Sequence, residues 1–152
     1  MKKLLIIFLI ASSCNISEEG LKAKAEIEIK NADLAMSDLA GEKGFFQALL
    51  QYAEDSVIIP REGKHPLFTK LAADQDWKDK GIIKTISWKP VKVVASQSGD
   101  MGYWFGFATF KGSDTATYTN YCTIWRKQQD GNWKFVFDGG NNVPQPDAGF
   151  LK

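Results

Sequence analysis

YCTIWRKQQDGNWKFVFDGG, residues 121–140, reads as two β-strands about a turn. A three-residue loop, Gln129–Gly131, places Gly131 where a left-handed backbone is required, a conformation glycine adopts freely. That loop pairs Trp125 with Phe135 and Arg126 with Lys134. A two-residue turn on Asp130 and Gly131 is the alternative and would pair Gln129 with Asn132. In the first register, regular alternation sets Tyr121, Thr123, Trp125, Trp133, Phe135 and Phe137 on one face. Asn120, Cys122, Ile124, Val136 and Asp138 fall on the other. Burying an aromatic side chain stabilises by about 1.5–3 kcal/mol, so the aromatic face is assigned to the core. The second face is too apolar around Cys122, Ile124 and Val136 for bare solvent, and a second subunit is expected to cover it.

Working outward, the preceding segments are also β-like. IIKTISWKPVKVVAS (82–96) is one long strand with a break possible at Pro90, SGDMG (98–102) a turn, and YWFGFATFK (103–111) a strand. GSD (112–114) is a second turn, before the strand TATYTNYCTIWRKQ (115–128). The N-terminal half is helical instead. Ile29, Ala32, Met36 and Leu39 or Ala40 recur at three and four residues, an apolar stripe on a helix that ends near Gly41. Phe45, Ala48, Leu49 and Tyr52 mark a second helix. SVIIP (56–60) reads as a short edge strand stopped by Pro60. Residues 61–81 read as a loop and a shorter third helix, with Pro66 near its first turn. Helices followed by consecutive antiparallel strands predict an α+β domain with the helices packed on one face of the sheet.

The first thirteen residues, MKKLLIIFLIASS, combine two lysines, an apolar run and small residues, the order of a secretory signal. The apolar run is about half of the ~20 residues a membrane span needs. IASSC (10–14) resembles a bacterial lipobox, with Ala11 where leucine is usual, which marks Cys14 for lipidation. The expected organisation is therefore a signal peptide at 1–13, a polar tether at 14–25, a domain at 26–143 and a polar tail at 144–152. The expected location is the bacterial cell envelope, at a membrane held through the N-terminal lipid. Cleavage removes Lys2 and Lys3 and no acid, so a net charge of +1 becomes −1, 17 basic against 18 acidic residues. A near-neutral domain has no electrostatic footprint for nucleic acid. With Cys14 acylated, Cys122 is left alone and reads as a small apolar residue.

The helix pair ending LLQYAEDSVIIP, the third helix and the closing strands resemble the SnoaL-like, nuclear transport factor 2-like (NTF2-like) superfamily. EKGF (42–45), Ser87-Trp88 with Pro90, SGDMGY (98–103) and TIWRKQQDGNWKFVFD (123–138) look most like a bacterial branch of unknown function. The resemblance covers residues 28–143. It implies a cone, a curved antiparallel sheet wrapped against about three helices with a pocket in its mouth. It also implies a tendency to form homodimers through the sheet. Ketosteroid isomerase, one member, uses a carboxylate base with a tyrosine and a protonated aspartic acid as oxyanion donors. Aligned without gaps on AEDSVIIP (53–60), those roles fall on Pro60, Met36 and about Thr123, none of which has the needed chemistry.

Other catalytic signatures are scarce. His65 is the single histidine and sits in an expected loop, so no histidine-rich metal site and no cofactor is expected. The carboxylates left as acid–base candidates are Glu42, between the first two helices, and Asp138. Asp138 ends an apolar strand, where it either points into the cone mouth or caps the turn at Gly139 and Gly140. Gly106 and Ala108 leave space over the sheet, either for a closely packed helix or as a pocket floor with Trp88 and Trp104 as walls. Arg61 is placed at the rim, as a solvated residue or as the partner of an acidic ligand. The reading is a lipid-anchored protein that binds a small, largely apolar molecule. An isomerase, dehydratase or cyclase and a ligand-free assembly module are the alternatives.

Overall fold

The structure is a computed structural model and describes residues 17–151; the expected signal peptide and Cys14 lie outside the described residues. The first helix, α1, runs Glu18–Lys43. Ser17 caps it by accepting from the Gly20 N–H at 3.2 Å, and Glu18 and Glu19 complement the positive end of the helix dipole. The polar stretch read from composition as a tether is thus helical from Glu18 onward. Its charges form i,i+4 pairs, Lys22 with Glu26 and Lys24 with Glu28, and Ala25 is buried. The buried stripe is Ala25, Ile29, Asp33, Met36 and Ala40. Gly41 lies in the last turn with open space where a side chain would go. Gly41→Ala is expected to raise stability by about 0.5–1 kcal/mol, read as a higher midpoint in urea unfolding.

Gly44, at φ 103°, breaks the chain into α2 (Phe45–Tyr52). Then come β1 (Ala53–Arg61), β2 (Lys64–Leu67), α3 (Lys70–Trp77), β3 (Ile86–Ala95), β4 (Met101–Lys111), β5 (Ala116–Lys127) and β6 (Trp133–Val143), with a 3-10 turn at Ala148–Leu151. The six strands form one sheet in the order β2-β1-β6-β5-β4-β3. It is mixed, because β1 runs parallel to β6 while the other pairs are antiparallel. The three helices pack on it, an α+β architecture.

Two expectations change here. SVIIP is not an edge strand: β2 covers its outer side, and the register slips between Ile59 and Arg61, around Pro60, which has no N–H to give. Pro66 lies in β2, at the true edge of the sheet, rather than in the first turn of α3, which Thr69 caps. The missed strand is four residues long, too short to show alternation.

The turn of the opening hairpin forms as its glycine predicts. Gln128 N–H donates to the Asn132 carbonyl, Gly131 has φ 84°, and Trp125 pairs with Phe135 and Arg126 with Lys134. Beyond that point the ladder slips. Ile124 pairs with Phe137, so Val136 is an extra residue, a β-bulge. The slip reverses the faces expected for the end of β6: Phe137 turns outward opposite Ile124, and Asp138 turns inward opposite Thr123. A second bulge between Pro90 and Lys92 marks the break expected at Pro90. Such irregularities bend strands and curl the sheet about the helices. Its inner face buries Trp88, Trp104, Thr123, Trp125 and Phe135, the aromatic face assigned to the core.

Candidate functional site

A cavity of about 280 Å³ lies between the inner face of the sheet and the helices. Met36 comes to it from α1, Phe45 and Leu49 from α2, Trp77 from α3, and Ile86, Trp88 and Phe110 from the sheet. Tyr121, Thr123 and Asp138 supply polar atoms among these apolar walls. Arg61 and Lys80 also line the cavity.

The polar groups form two connected sets. Asp33, on the buried stripe of α1 and fully buried, accepts at Oδ2 from Trp88 Nε1 at 2.9 Å and from the Tyr121 hydroxyl at 3.3 Å. The Tyr121 oxygen in turn accepts from Trp104 Nε1 at 2.8 Å. Asp33 Oδ1 is buried without a hydrogen-bond partner. In the second set, Thr123 Oγ1 donates to Asp138 Oδ1 at 2.6 Å. Gly106 is the seat of the first. A Cβ there would lie 2.9 Å from the Tyr121 hydroxyl and 3.0 Å from its ring, so the missing side chain is replaced by the tyrosine itself.

Both acids hold their protons abnormally tightly. Burial pushes Asp33 up to about 7, and the charge of Asp138 adds to it, against the hydrogen bonds from Trp88 and Tyr121. Burial likewise raises Asp138 to about 6, opposed by the hydrogen bond from Thr123. Burial first, and Asp33 second, drives the Tyr121 phenol far above its ordinary range, so it stays a hydroxyl. In the unfolded chain both acids would titrate near 4, at about 3.9. The stability they contribute is therefore full below about pH 4 and lost as pH rises through about 6 and then about 7. Glu28, Glu54 and Asp76 are held low instead, by Lys127, Arg126 and Lys80 with Arg61, and their contribution is lost in acid. Thermal unfolding is thus expected to peak between about pH 4 and about pH 6 and to fall toward pH 8, by roughly 5–10 °C for a loss of a few kcal/mol. Calorimetry across that range checks it.

Among the described residues no group of three or more His, Cys, Asp or Glu side chains is placed to hold a metal ion. No family model and no curated protein matches the sequence. Solved structures do match. A ketosteroid isomerase-like protein from Erwinia carotovora atroseptica is similar at a TM-score of 0.64 and 14% identity, over 80% of this chain and 98% of that one. An NTF2-like protein with a cystatin-like fold, from Novosphingobium aromaticivorans, is similar at 0.58 and 15%, over 86% and 90%. The association domain of C. elegans CaMKII is similar at 0.59 and 12%, over 79% and 97%. The chain has an NTF2-like fold.

Within this NTF2-like fold the three positions expected from the isomerase, Met36, Pro60 and Thr123, all line the cavity. The acids in the site come from beside them. Asp33 stands one turn before Met36 on α1, and Asp138 stands directly across from Thr123 on β6.

Of the residues singled out in the sequence, Trp88 and Asp138 line the cavity, and Trp88 also binds Asp33. Trp104 is not among the lining residues; it is buried behind Tyr121 and fixes its hydroxyl. Arg61 lines the cavity, but its guanidinium is engaged by Asp76 Oδ1 at 2.6 Å and by the His65 carbonyl at 2.7 and 2.9 Å. Glu42 is exposed in the last turn of α1, away from the cavity. Cys122 is half-buried on the outer face of the sheet. Sequence reading missed Asp33 and Tyr121. The signal for Asp33 was available: it is four residues after Ile29 and three before Met36, an acid inside an apolar stripe.

Proposed function

We propose that this protein binds a small, largely apolar molecule in the cavity between the helices and the sheet. One observation carries the reading: a cavity of about 280 Å³, apolar along most of its wall, has the Asp138 carboxyl facing into it. Ligand sites combine these features, an apolar cleft and a few placed polar groups, and this one is at the small end of their range. Native mass spectrometry of the protein purified from its own host tests the reading. A co-purifying small molecule, displaced when Phe110→Trp fills the cavity, supports it. A protein that arrives empty and takes up nothing from a metabolite and lipid extract sinks it.

A catalytic reading stands beside this one and is favoured by the same carboxyl. A proton held at about 6, on a group facing a mostly apolar cavity, is poised for acid–base work near neutral pH. Asp138 is then the acid or base of an isomerase, dehydratase or cyclase, with Thr123 orienting it. The likeness to a ketosteroid isomerase-like protein supports testing enolisable ketones first.

Two further parts of the proposal concern assembly and place. The outer face of the sheet carries Tyr103, Phe105, Ile124 and Phe137 side by side, with Ile58 beside Phe137. We assign that face to a second copy of the chain in a homodimer, in keeping with the likeness to an association domain. Cys14, by its lipobox-like setting, is assigned as the lipidated residue that anchors the protein at the envelope membrane.

A further inference from the structure

The side-chain donors of Trp88, Tyr121 and Thr123 at the inner wall of the cavity are already committed to the protein. Trp88 Nε1 and the Tyr121 hydroxyl both give their protons to Asp33, and Trp104 Nε1 gives its proton to Tyr121. Thr123 gives its proton to Asp138 Oδ1. At Arg61 the guanidinium is held by Asp76 and the His65 carbonyl, and the Lys80 ammonium donates to Asp76 Oδ2 at 2.9 Å while lying over the Phe46 ring. One carboxylate oxygen at the cavity is left over. Asp138 Oδ2 makes no hydrogen bond among the described residues and belongs to a side chain that faces the cavity. Asp33 Oδ1, in the other set, is also unpartnered among the described residues, but it is enclosed and does not line the cavity. Among the described residues no salt bridge reaches either acid. Among the described residues the Thr119 hydroxyl is the lining side-chain hydroxyl without a partner, and it accepts as readily as it donates.

A site of this kind discriminates by the sign of its polar demand. A ligand carboxylate placed at Asp138 meets like charge, and the Thr123 hydroxyl beside it already donates to Asp138, so that pairing costs desolvation without a hydrogen bond in return. A ligand donor completes Asp138, and a cationic donor also offsets a negative charge that no cation among the described residues pairs with. The walls favour the same sign, because Trp88, Phe45, Phe110 and Trp77 present aromatic rings, whose faces attract cations. We propose that the ligand of this cavity is a small apolar amine, bound as its ammonium with an N–H on Asp138 Oδ2 and its hydrocarbon body among the aromatic walls. This rests on the cavity being a binding site, and it is opposite in charge to the acidic ligand that was one of the two readings of Arg61.

The test is a matched series of probes titrated into the full chain by calorimetry at neutral pH: 2-phenylethylamine, 2-phenylethanol and 3-phenylpropanoate. They share a phenyl body and differ in whether the head is a cation, a neutral donor or an anion. The amine is expected to bind at least about tenfold more tightly than the alcohol, and the acid not measurably. Asp138→Asn, which keeps the size of the side chain, is expected to remove the amine's advantage over the alcohol; an advantage that survives the substitution overturns the proposal. Alcohol or acid binding as tightly as the amine overturns the proposal and leaves the binding reading of the cavity standing. Failure of all three at millimolar concentration overturns both. The comparison among probes is made on the unmutated protein, so it holds even where the variant fails to fold.

Discussion

Asp33→Ala is expected to destabilise the protein by about 3–5 kcal/mol at pH 6, measured by denaturant unfolding. The substitution removes the one acceptor shared by Trp88 Nε1 and the Tyr121 hydroxyl. Each donor is left buried without a partner, at roughly 1–3 kcal/mol apiece. The loss is smaller at pH 8, because Asp33, held at about 7, is itself a costly buried charge there. Asp33→Asn separates the two effects. It keeps an acceptor for both donors and carries no charge, so it should lie within about 1 kcal/mol of the native protein at pH 6 and exceed it at pH 8. Equal losses for alanine and asparagine at both pH values would mean that Asp33 contributes shape alone.

Gly140→Ala is expected to cost more than about 3 kcal/mol or to abolish folding, followed by the same unfolding curves. A Cβ at Gly140 would overlap the main-chain carbonyl of Asn120 and lie 3.0 Å from Tyr121 Cα. Ordinary overpacking, at about 1–3 kcal/mol, is relieved by side-chain shifts. Here the obstacle is backbone, and Gly140 is paired with Tyr121 in the β5–β6 ladder, so relief would pull β5 away from β6. Gly149→Ala, with open space around it, is the control and should change little. A native-like Gly140→Ala protein would show that the two strands separate here at little cost.

These two residues also mark how far the sequence could be read. The turn of the 121–140 hairpin was legible because Gly131 at a left-handed position leaves few loop choices, and the register next to it followed. The bulge at Val136 was not, since FVFDGG alternates smoothly and no residue in it announces an insertion. The faces were therefore correct up to Phe135 and inverted after it, which put Asp138 on the outside in the alternation. The apolar stripe of α1 was legible by counting hydrophobic residues, and Asp33 was lost by the same method. Chemistry at the site comes from an acid in an apolar position, and a hydrophobic count passes over it. Trp104 was expected as a pocket wall, but it stands behind the cavity and holds Tyr121, a contact seventeen residues away in the chain that alternation alone does not reveal.

The parallel pairing of β1 with β6 has a consequence for how the chain folds. Ala53 pairs with Phe135, about eighty residues later, and β6 is the last of the six described strands to be made and yet stands between β1 and β5. Such distant pairings form slowly, because the chain entropy is lost before the contacts reward it. At roughly 5–20 residues per second of synthesis, β1 waits several seconds for its neighbour. Until then the β1–β2 hairpin and the β3–β4–β5 meander are two separate fragments, each with an open edge. Loss of the last strand would not shorten this sheet from one end; it would cut it in two.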